Sequence, residues 1–429
     1  MSLARSGVLR LQRSKNEAMK EVGAKWQAYW EEQLTQIDIE GRRRHLREFV
    51  RPIDSAGELR EQGQCVVNFG SNDYLNLACH PEMVKVVQEG VENYGWGSGA
   101  SPLVTGRTAA HALLEKRLAE FEKSEASMLF STGYAANMSA VVTLVGRGDG
   151  IFSDQLNHAS LIDGCRLSGA EICRYEHVDL EDLADKLASH RSRFERAIIL
   201  TDSLFSMDGD LAPIAAICDL ADRFDCLVVA DEAHATGVYG ENGEGWCHAA
   251  GCGHRVLVRT GTLSKAVGGL GGFLVGPKSF VDLAIHRGRG YMFSTSMPAA
   301  IALAATKGLE LIKTMHAERQ TLLDRAVKLR EALREQGWNV GQGDSPIIPV
   351  YVGNEALCLA YGRALMMAGC YVPAIRPPTV PKGKSLLRIS LSIAHRNAHM
   401  EQLVEAMYRL QQQETRCIPE NHSIHERKA

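Results

Sequence analysis

Four short segments carry residue types that could act together on a small molecule. The first is Lys265, in Gly261-Thr262-Leu263-Ser264-Lys265-Ala266-Val267-Gly268-Gly269, with no charged partner within four residues. A lysine walled by glycine and apolar residues is poorly hydrated, so its amine is more easily neutral and can act as a nucleophile. The second is Asp231-Glu232-Ala233-His234, which closes the apolar run Cys226–Ala230. A carboxylate at the end of a buried strand is costly unless it meets a cation or donors. The third, Asp202-Ser203-Leu204-Phe205-Ser206-Met207-Asp208-Gly209, follows the run Ala197–Thr201. The fourth, Ser131-Thr132-Gly133-Tyr134-Ala135-Ala136-Asn137, follows a strand and opens a helix, where free N–H groups and hydroxyls can hold a phosphate. Amine, carboxylate, imidazole and phosphate cradle together describe a pyridoxal-phosphate site, whose mark is a lysine Schiff base with an acidic partner for the pyridine nitrogen.

The elements that must position these groups follow from periodicity. Apolar runs predict strands at Ser127–Phe130, Gly150–Ser153, Ala197–Thr201, Leu227–Ala230, Val256–Arg259 and Gly272–Val275, with helices between them such as His111–Glu122 and Pro213–Phe224. Continuous apolar strands alternating with helices predict an α/β fold, a mostly parallel central sheet sandwiched by helices. In such a sheet ligands bind beyond the carboxyl ends of the strands, where three of the four segments fall. After about residue 300 the pattern changes to a long helix from Ala299 to about Glu335, open to a break, and then Ile347–Val352, a helix Leu357–Ala368, Tyr371–Ile375, Leu386–Ser392 and a helix His399–Gln412. This predicts a smaller α+β C-terminal domain. The expected division is 1–73 as a helical arm and short strand, 74–310 as the large α/β domain, and 311–429 as the small domain with a frayed tail from Gln413.

Composition narrows the function classes. With 48 basic and 51 acidic residues in 429, no polycationic face is available, which argues against a nucleic-acid partner. The longest apolar run, Ala299–Ala305, is far short of the ~18 residues of a membrane span. The 11 cysteines stand singly and read as reduced thiols of a cytoplasmic protein. Cys247-His248-Ala249-Ala250-Gly251-Cys252-Gly253-His254 matches no zinc spacing, so no metal is expected. Arg5, Arg10, Arg13 and Lys15 faintly resemble an organelle transit peptide, but the run continues into Trp26 and Trp30 at helical spacing, which favours an amphipathic helix. Of 40 glycines, 12 fall between Gly237 and Gly276, a sign of backbone pressed on backbone or on a ligand. Gly268-Gly269-Leu270-Gly271-Gly272 precedes a strand and does not join a strand to a helix, the wrong context for a dinucleotide loop.

The motifs Asn68-Phe69-Gly70-Ser71-Asn72-Asp73-Tyr74, Gly97-Ser98-Gly99-Ala100-Ser101, Asp154-Gln155-Leu156-Asn157-His158-Ala159-Ser160, Asp231–Gly237, Thr262–Lys265, Tyr291–Ser296, Ile375–Pro381 and Leu387–His395 resemble the α-oxoamine synthase family of fold-type I pyridoxal-phosphate transferases from about residue 40 to 410. The resemblance implies that Lys265 binds the cofactor covalently, Asp231 holds its ring nitrogen, His234 bonds the ring hydroxyl and His158 stacks on the ring. It further implies cofactor contacts from Gly133, Tyr134, Ser206 and Thr262, and from Thr295 of a neighbouring subunit in a homodimer. Arg388, helped by Asn72, would bind the amino-acid carboxylate. Alternation in Leu387-Arg388-Ile389-Ser390 independently turns Arg388 away from the apolar face. The stretch around Thr379, with Arg42, is similar to members that join L-alanine to pimeloyl-CoA on the way to biotin. Members that use glycine, members that use a longer acyl chain, and a non-catalytic structural paralogue remain alternatives; the complete Lys265, Asp231, His234 and His158 set argues against the last. Pro102, where the family has Gly or Arg, and the long N-terminal extension are departures on the acyl-donor side.

Overall fold

The computed structural model describes residues 22–52 and 56–417. The four basic residues of the N-terminal helix expectation and the end of the expected frayed tail lie outside them. A seven-stranded sheet forms the centre, in the order β3-β9-β8-β7-β6-β4-β5. Its strands are β3 (Ala126–Phe130), β4 (Gly150–Asp154), β5 (Glu171–Tyr175), β6 (Ala197–Asp202), β7 (Leu227–Asp231), β8 (Val258–Thr262) and β9 (Gly272–Gly276). The β5-β4-β6-β7-β8 pairings are parallel, and β9 pairs antiparallel with both β8 and β3.

Period-two alternation assigns the strand residues to two cores. Ile198, Leu200, Val229 and Leu274 pack with Ala136, Ala140 and Val141 of the helix Gly133–Leu144. Ile199, Val228 and Ala230 point the other way, onto Ile214, Ile217 and Ala221 of the helix Ile214–Phe224. Each such fully buried aliphatic side chain contributes ~1.5–3 kcal/mol. The sheet is therefore a rigid platform whose strand ends have little freedom.

Several elements differ from expectation, among them the last helix, which runs Asn397–Cys417 through the start of the expected frayed tail. β8 starts at Val258, two residues later than the apolar run, because Val256 is already buried in the loop before it. β5 was not anticipated: it is an edge strand whose Glu171, Ile172 and Arg174 face solvent, so it carries no continuous apolar signal. The expected strand Tyr371–Ile375 splits in two. β11 (Cys370–Tyr371) runs parallel to β2 (Gln64–Asn68), which pairs with β1 (Glu58–Glu61), whereas β12 (Ala374–Ile375) joins a second small sheet with β10 (Ile347–Gly353) and β13 (Ser385–Ser390). The N-terminal strand is thus sewn to the C-terminal part of the chain. The helix from Ala299 breaks at Met315, giving Ala299–Thr314 and His316–Glu335.

The Gly237–Gly276 cluster is close-packed, Gly268 and Gly272 against backbone and most of the others against side chains. A Cβ on Gly272 would stand 2.5 Å from the backbone of Gly133, and one on Gly237 would stand 2.6 Å from Ala266. These contacts let the helix from Gly133 start directly against β9 and hold the Lys265 loop down. The Cys247–His254 loop is fastened by polar bonds: Cys247 N–H donates to Glu232 Oε1 at 2.7 Å, and His248 Nε2 meets the Glu122 carbonyl at 3.0 Å. Buried Glu122 also pairs with buried Arg259 at 3.2 Å, and its carboxyl is pushed up to about 8, chiefly by burial.

Candidate active site

β6, β7 and β8 end side by side, with Asp202 opposite Asp231 and Asp231 opposite Thr260. Their C-terminal turns, with the starts of two helices, enclose a cavity of about 190 Å³. Gly133, Tyr134, Asn137, His158, Ser160, Asp202, Asp231, His234, Thr262 and Lys265 are among the residues that line it. The structure thereby brings together seven residues expected from the sequence: Lys265, Asp231, His234, His158, Gly133, Tyr134 and Thr262.

Burial decides the protonation of these groups. It lowers the Lys265 amine from its ordinary value to about 8, even though Asp231 and Asp202 pull the other way. His158 and His234 are both pushed down by burial, His234 well below the usual histidine range, so both rings are neutral near pH 7. His234 Nδ1 lies 2.7 Å from the buried Tyr74 hydroxyl, which leaves Nε2 for a ligand. His158 Nδ1 lies 2.6 Å from Ser160 Oγ, and its ring stands edge-on to Tyr134 at 6.3 Å. Buried Asp231 accepts from Asn137 Nδ2 at 2.6 Å and from Ala233 N–H at 2.8 Å. No ion pair reaches it among the described residues. The neighbouring Asp202 carboxyl is raised well above its usual range by burial and by the charge of Asp231.

The helix Gly133–Leu144 points its N-terminus at the cavity. Thr132 caps it, accepting from Ala135 N–H at 3.1 Å, and the preceding N–H groups of Gly133 and Tyr134 have no intrahelical acceptor. A Cβ on Gly133 would stand 3.3 Å from Thr262 Cβ, a tight contact that Thr262 would have to yield to. An anion cradle, a carboxylate awaiting a cation, an amine made easier to deprotonate and two neutral imidazoles fit pyridoxal phosphate.

The remaining candidates stand around this cavity. Buried Arg388, on β13, donates from Nε to the Ser206 carbonyl at 2.5 Å and from Nη1 to Asn72 Oδ1 at 3.1 Å, and its buried Nη2 has no hydrogen-bond partner among the described residues. Ser206 and Thr379 line a second cavity of about 760 Å³, which also takes in Leu156, Phe205, Tyr351 and Lys384. Thr295 lies outside both, in a smaller pocket beside Ser131, and its carbonyl accepts from Ser131 Oγ at 2.7 Å. Arg42 turns to Glu40 and Glu355, at 3.2 and 3.7 Å, and it is Arg44 Nη2 that approaches Thr379 Oγ1, at 3.4 Å. Arg376 binds the carbonyls of Gly41 and Arg43, at 2.5 and 2.8 Å, and so docks the arginine run.

Sequence reasoning left out Tyr74, Asn137, Ser160 and Asp202 as site residues. Their only signal was position: Asn137 lies one helical turn after Gly133, Ser160 lies two residues after His158, and Asp202 ends a strand just as Asp231 does.

Comparisons with known proteins agree with this geometry. Residues 64–407 match the family of class I and II aminotransferases. The 8-amino-7-oxononanoate synthase of Symbiobacterium thermophilum is 40% identical over 375 residues, which cover 87% of this chain and 95% of that protein. The protein of the same name from Geobacter sulfurreducens is 43% identical over 351 residues, 81% of this chain and 90% of that one. Among solved structures, Sphingomonas wittichii serine palmitoyltransferase superposes with a TM-score of 0.84 at 30% identity, over 92% of this chain and 99% of that one. The 8-amino-7-oxononanoate synthase of Francisella tularensis gives 0.72 at 26% identity, over 82% and 99%.

Proposed function

The chain belongs to the α-oxoamine synthases, pyridoxal-phosphate transferases of fold type I, and on that premise we propose that it condenses L-alanine with pimeloyl-CoA, releasing CoA and CO2 and giving the α-amino ketone of the biotin route. The observation that carries the amino-acid half is Arg388. Its buried Nη2 has no hydrogen-bond partner among the described residues, while Nε and Nη1 are held by the Ser206 carbonyl and Asn72, an arrangement that suits a guanidinium receiving a carboxylate. The larger cavity shares Ser206 with that arrangement and has room for an acyl donor.

When bound, pyridoxal phosphate supplies an electron sink for charge developing on the amino acid's α-carbon. Lys265 Nζ would hold it covalently in the resting enzyme, and the N–H groups of Gly133 and Tyr134 would hold its phosphate. Asp231 would keep the ring nitrogen protonated, which the two donors from Asn137 and Ala233 allow by fixing the carboxylate in place. Arg388 fixes the carboxylate of the incoming amino acid and thereby aims its Cα–H bond. The Lys265 amine, once free, takes that α-proton at Nζ, and its depressed value of about 8 keeps a useful fraction neutral at physiological pH. His158, pushed toward its neutral form and anchored by Ser160, would stack on the cofactor ring and shield it from water.

Homodimerisation, with Thr295 serving the partner's phosphate, and a cytoplasmic location belong to the same proposal. The ten described cysteines are all free, which fits a reducing compartment. No described helix is long and apolar enough to cross a membrane. Serine with a long acyl chain is a second reading, favoured by the likeness to serine palmitoyltransferase, but the 40–43% relatives favour the first. Mass spectrometry of the product decides: the holoenzyme is mixed with alanine, glycine or serine and acyl-CoAs of graded length. Release of CoA and CO2 with alanine and pimeloyl-CoA above all other pairs is expected, and a preference for serine or a long chain would overturn the substrate assignment.

A further inference from the structure

His177 lies outside the cofactor cavity, yet both of its ring nitrogens face carboxylates. Nδ1 is 3.0 Å from Asp154 Oδ1 and Nε2 is 2.9 Å from Asp210 Oδ2. A neutral imidazole has one N–H and can satisfy one carboxylate only, so this pair of contacts requires the doubly protonated ring. Burial works against that charge, but the bonds from the two aspartates outweigh it and raise His177 to about 10. The ring also stands edge-on to Phe205, with centroids 4.4 Å apart.

Each aspartate holds a different wall of the site. Asp154, buried at the end of β4, also accepts from the N–H groups of Leu156 at 2.8 Å and Val178 at 2.9 Å, fixing the turn that leads to His158. Asp210 ends a tight loop closed by Phe205 N–H to the Asp210 carbonyl at 3.0 Å and Gly209 N–H to the Phe205 carbonyl at 2.9 Å. That loop carries Ser206, whose carbonyl receives Arg388. Gln155 and Leu156 from the first wall, with Phe205 to Asp208 from the second, line one side of the 760 Å³ cavity.

We infer that His177 is a positioning residue: clamped between Asp154 and Asp210, it locks the Ser206 loop to the His158 turn and so sets the spacing between the amino-acid arginine, the stacking histidine and the acyl-donor cavity. This rests on the functional reading above, in that the ligand whose fit it governs is the acyl-CoA.

The test compares the wild-type holoenzyme with His177→Gln and Asp210→Asn. An amide at 177 keeps one donor but not the charge, and an amide at 210 removes the partner carboxylate at equal size. Both variants are expected to raise the KM for pimeloyl-CoA ~10-fold with a smaller change in kcat and an unaltered cofactor absorbance band, and the double variant is expected to be no worse than the worse single one. Variants that melt earlier but keep the acyl-donor KM within about twofold would reduce His177 to a purely structural residue and overturn the inference. Hydrogen exchange at the Phe205 and Gly209 amides reads the clamp without turnover. Faster exchange in both variants supports it, and unchanged exchange overturns it even if the wild-type enzyme proves to use other substrates. Asp210→Asn carries the test if His177→Gln does not fold.

Discussion

Lys265, Asp231 and His158 stand on turns that leave strands of one sheet, and each is held by neighbours on adjacent strands or helix starts. Arg388, Thr379 and Arg42 come from a second small sheet, the loop before its last strand and the N-terminal segment, and they reach their places through contacts such as Arg376 to Gly41, 335 residues apart. The first set is fixed by the core of a stiff sheet and shares one cavity. The second is assembled by long-range polar bonds, with Arg388 buried but Arg42 about one-third exposed. On the proposed function, the difference places the cofactor chemistry in the platform and hangs the candidate substrate contacts on it where changes cost the platform little.

The largest effect should come from the platform side. Lys265→Ala is expected to abolish turnover and the cofactor's near-visible absorbance together; a variant retaining both would break the comparison at its root. With the unsubstituted chain stripped of cofactor, the rate of pyridoxal-phosphate uptake should follow the neutral amine, falling as pH drops below about 8. The sign follows from burial, which favours the uncharged form: a midpoint near the ordinary lysine value of 10.5 would show that the amine is not buried as described.

Arg388→Lys tests the junction of the two regions. Losing the forked guanidinium should weaken the amino-acid carboxylate contact by ~1.5–3 kcal/mol, about 10- to 100-fold in the alanine KM, with the cofactor spectrum unchanged. A changed spectrum would mean that Arg388 belongs to the platform. Arg376→Ala should have the smallest effect, a rise of a few fold at most in the acyl-donor KM, with faster protease cleavage near Gly41–Arg44. No change in cleavage would show that the arginine run is held by something else.

The same division separates what could be read from the chain from what could not. The platform was legible because its causes are local: continuous apolar strands, a capped helix start after Ser131, and polar residues massed where strands end. β5 escaped because an edge strand with charged outward residues has no continuous apolar run, and the start of β8 shifted because Val256 is buried in the preceding loop. Tyr371–Ile375 read as one strand, and its division between two sheets depends on partners more than 300 residues away in one case and a dozen in the other.

The sequence by itself determined the α/β platform, the lysine, aspartate and two histidines that line one cavity, and the family to which the chain belongs. Residue type and spacing suffice when the groups sit on consecutive βα turns. Only the tertiary structure decided that burial depresses the Lys265 amine and both histidines, that Tyr74 occupies one nitrogen of His234, that Arg388 keeps one nitrogen without a partner among the described residues, and that Arg44 approaches Thr379. Those properties arise from burial and from neighbours distant in sequence, which no local pattern encodes.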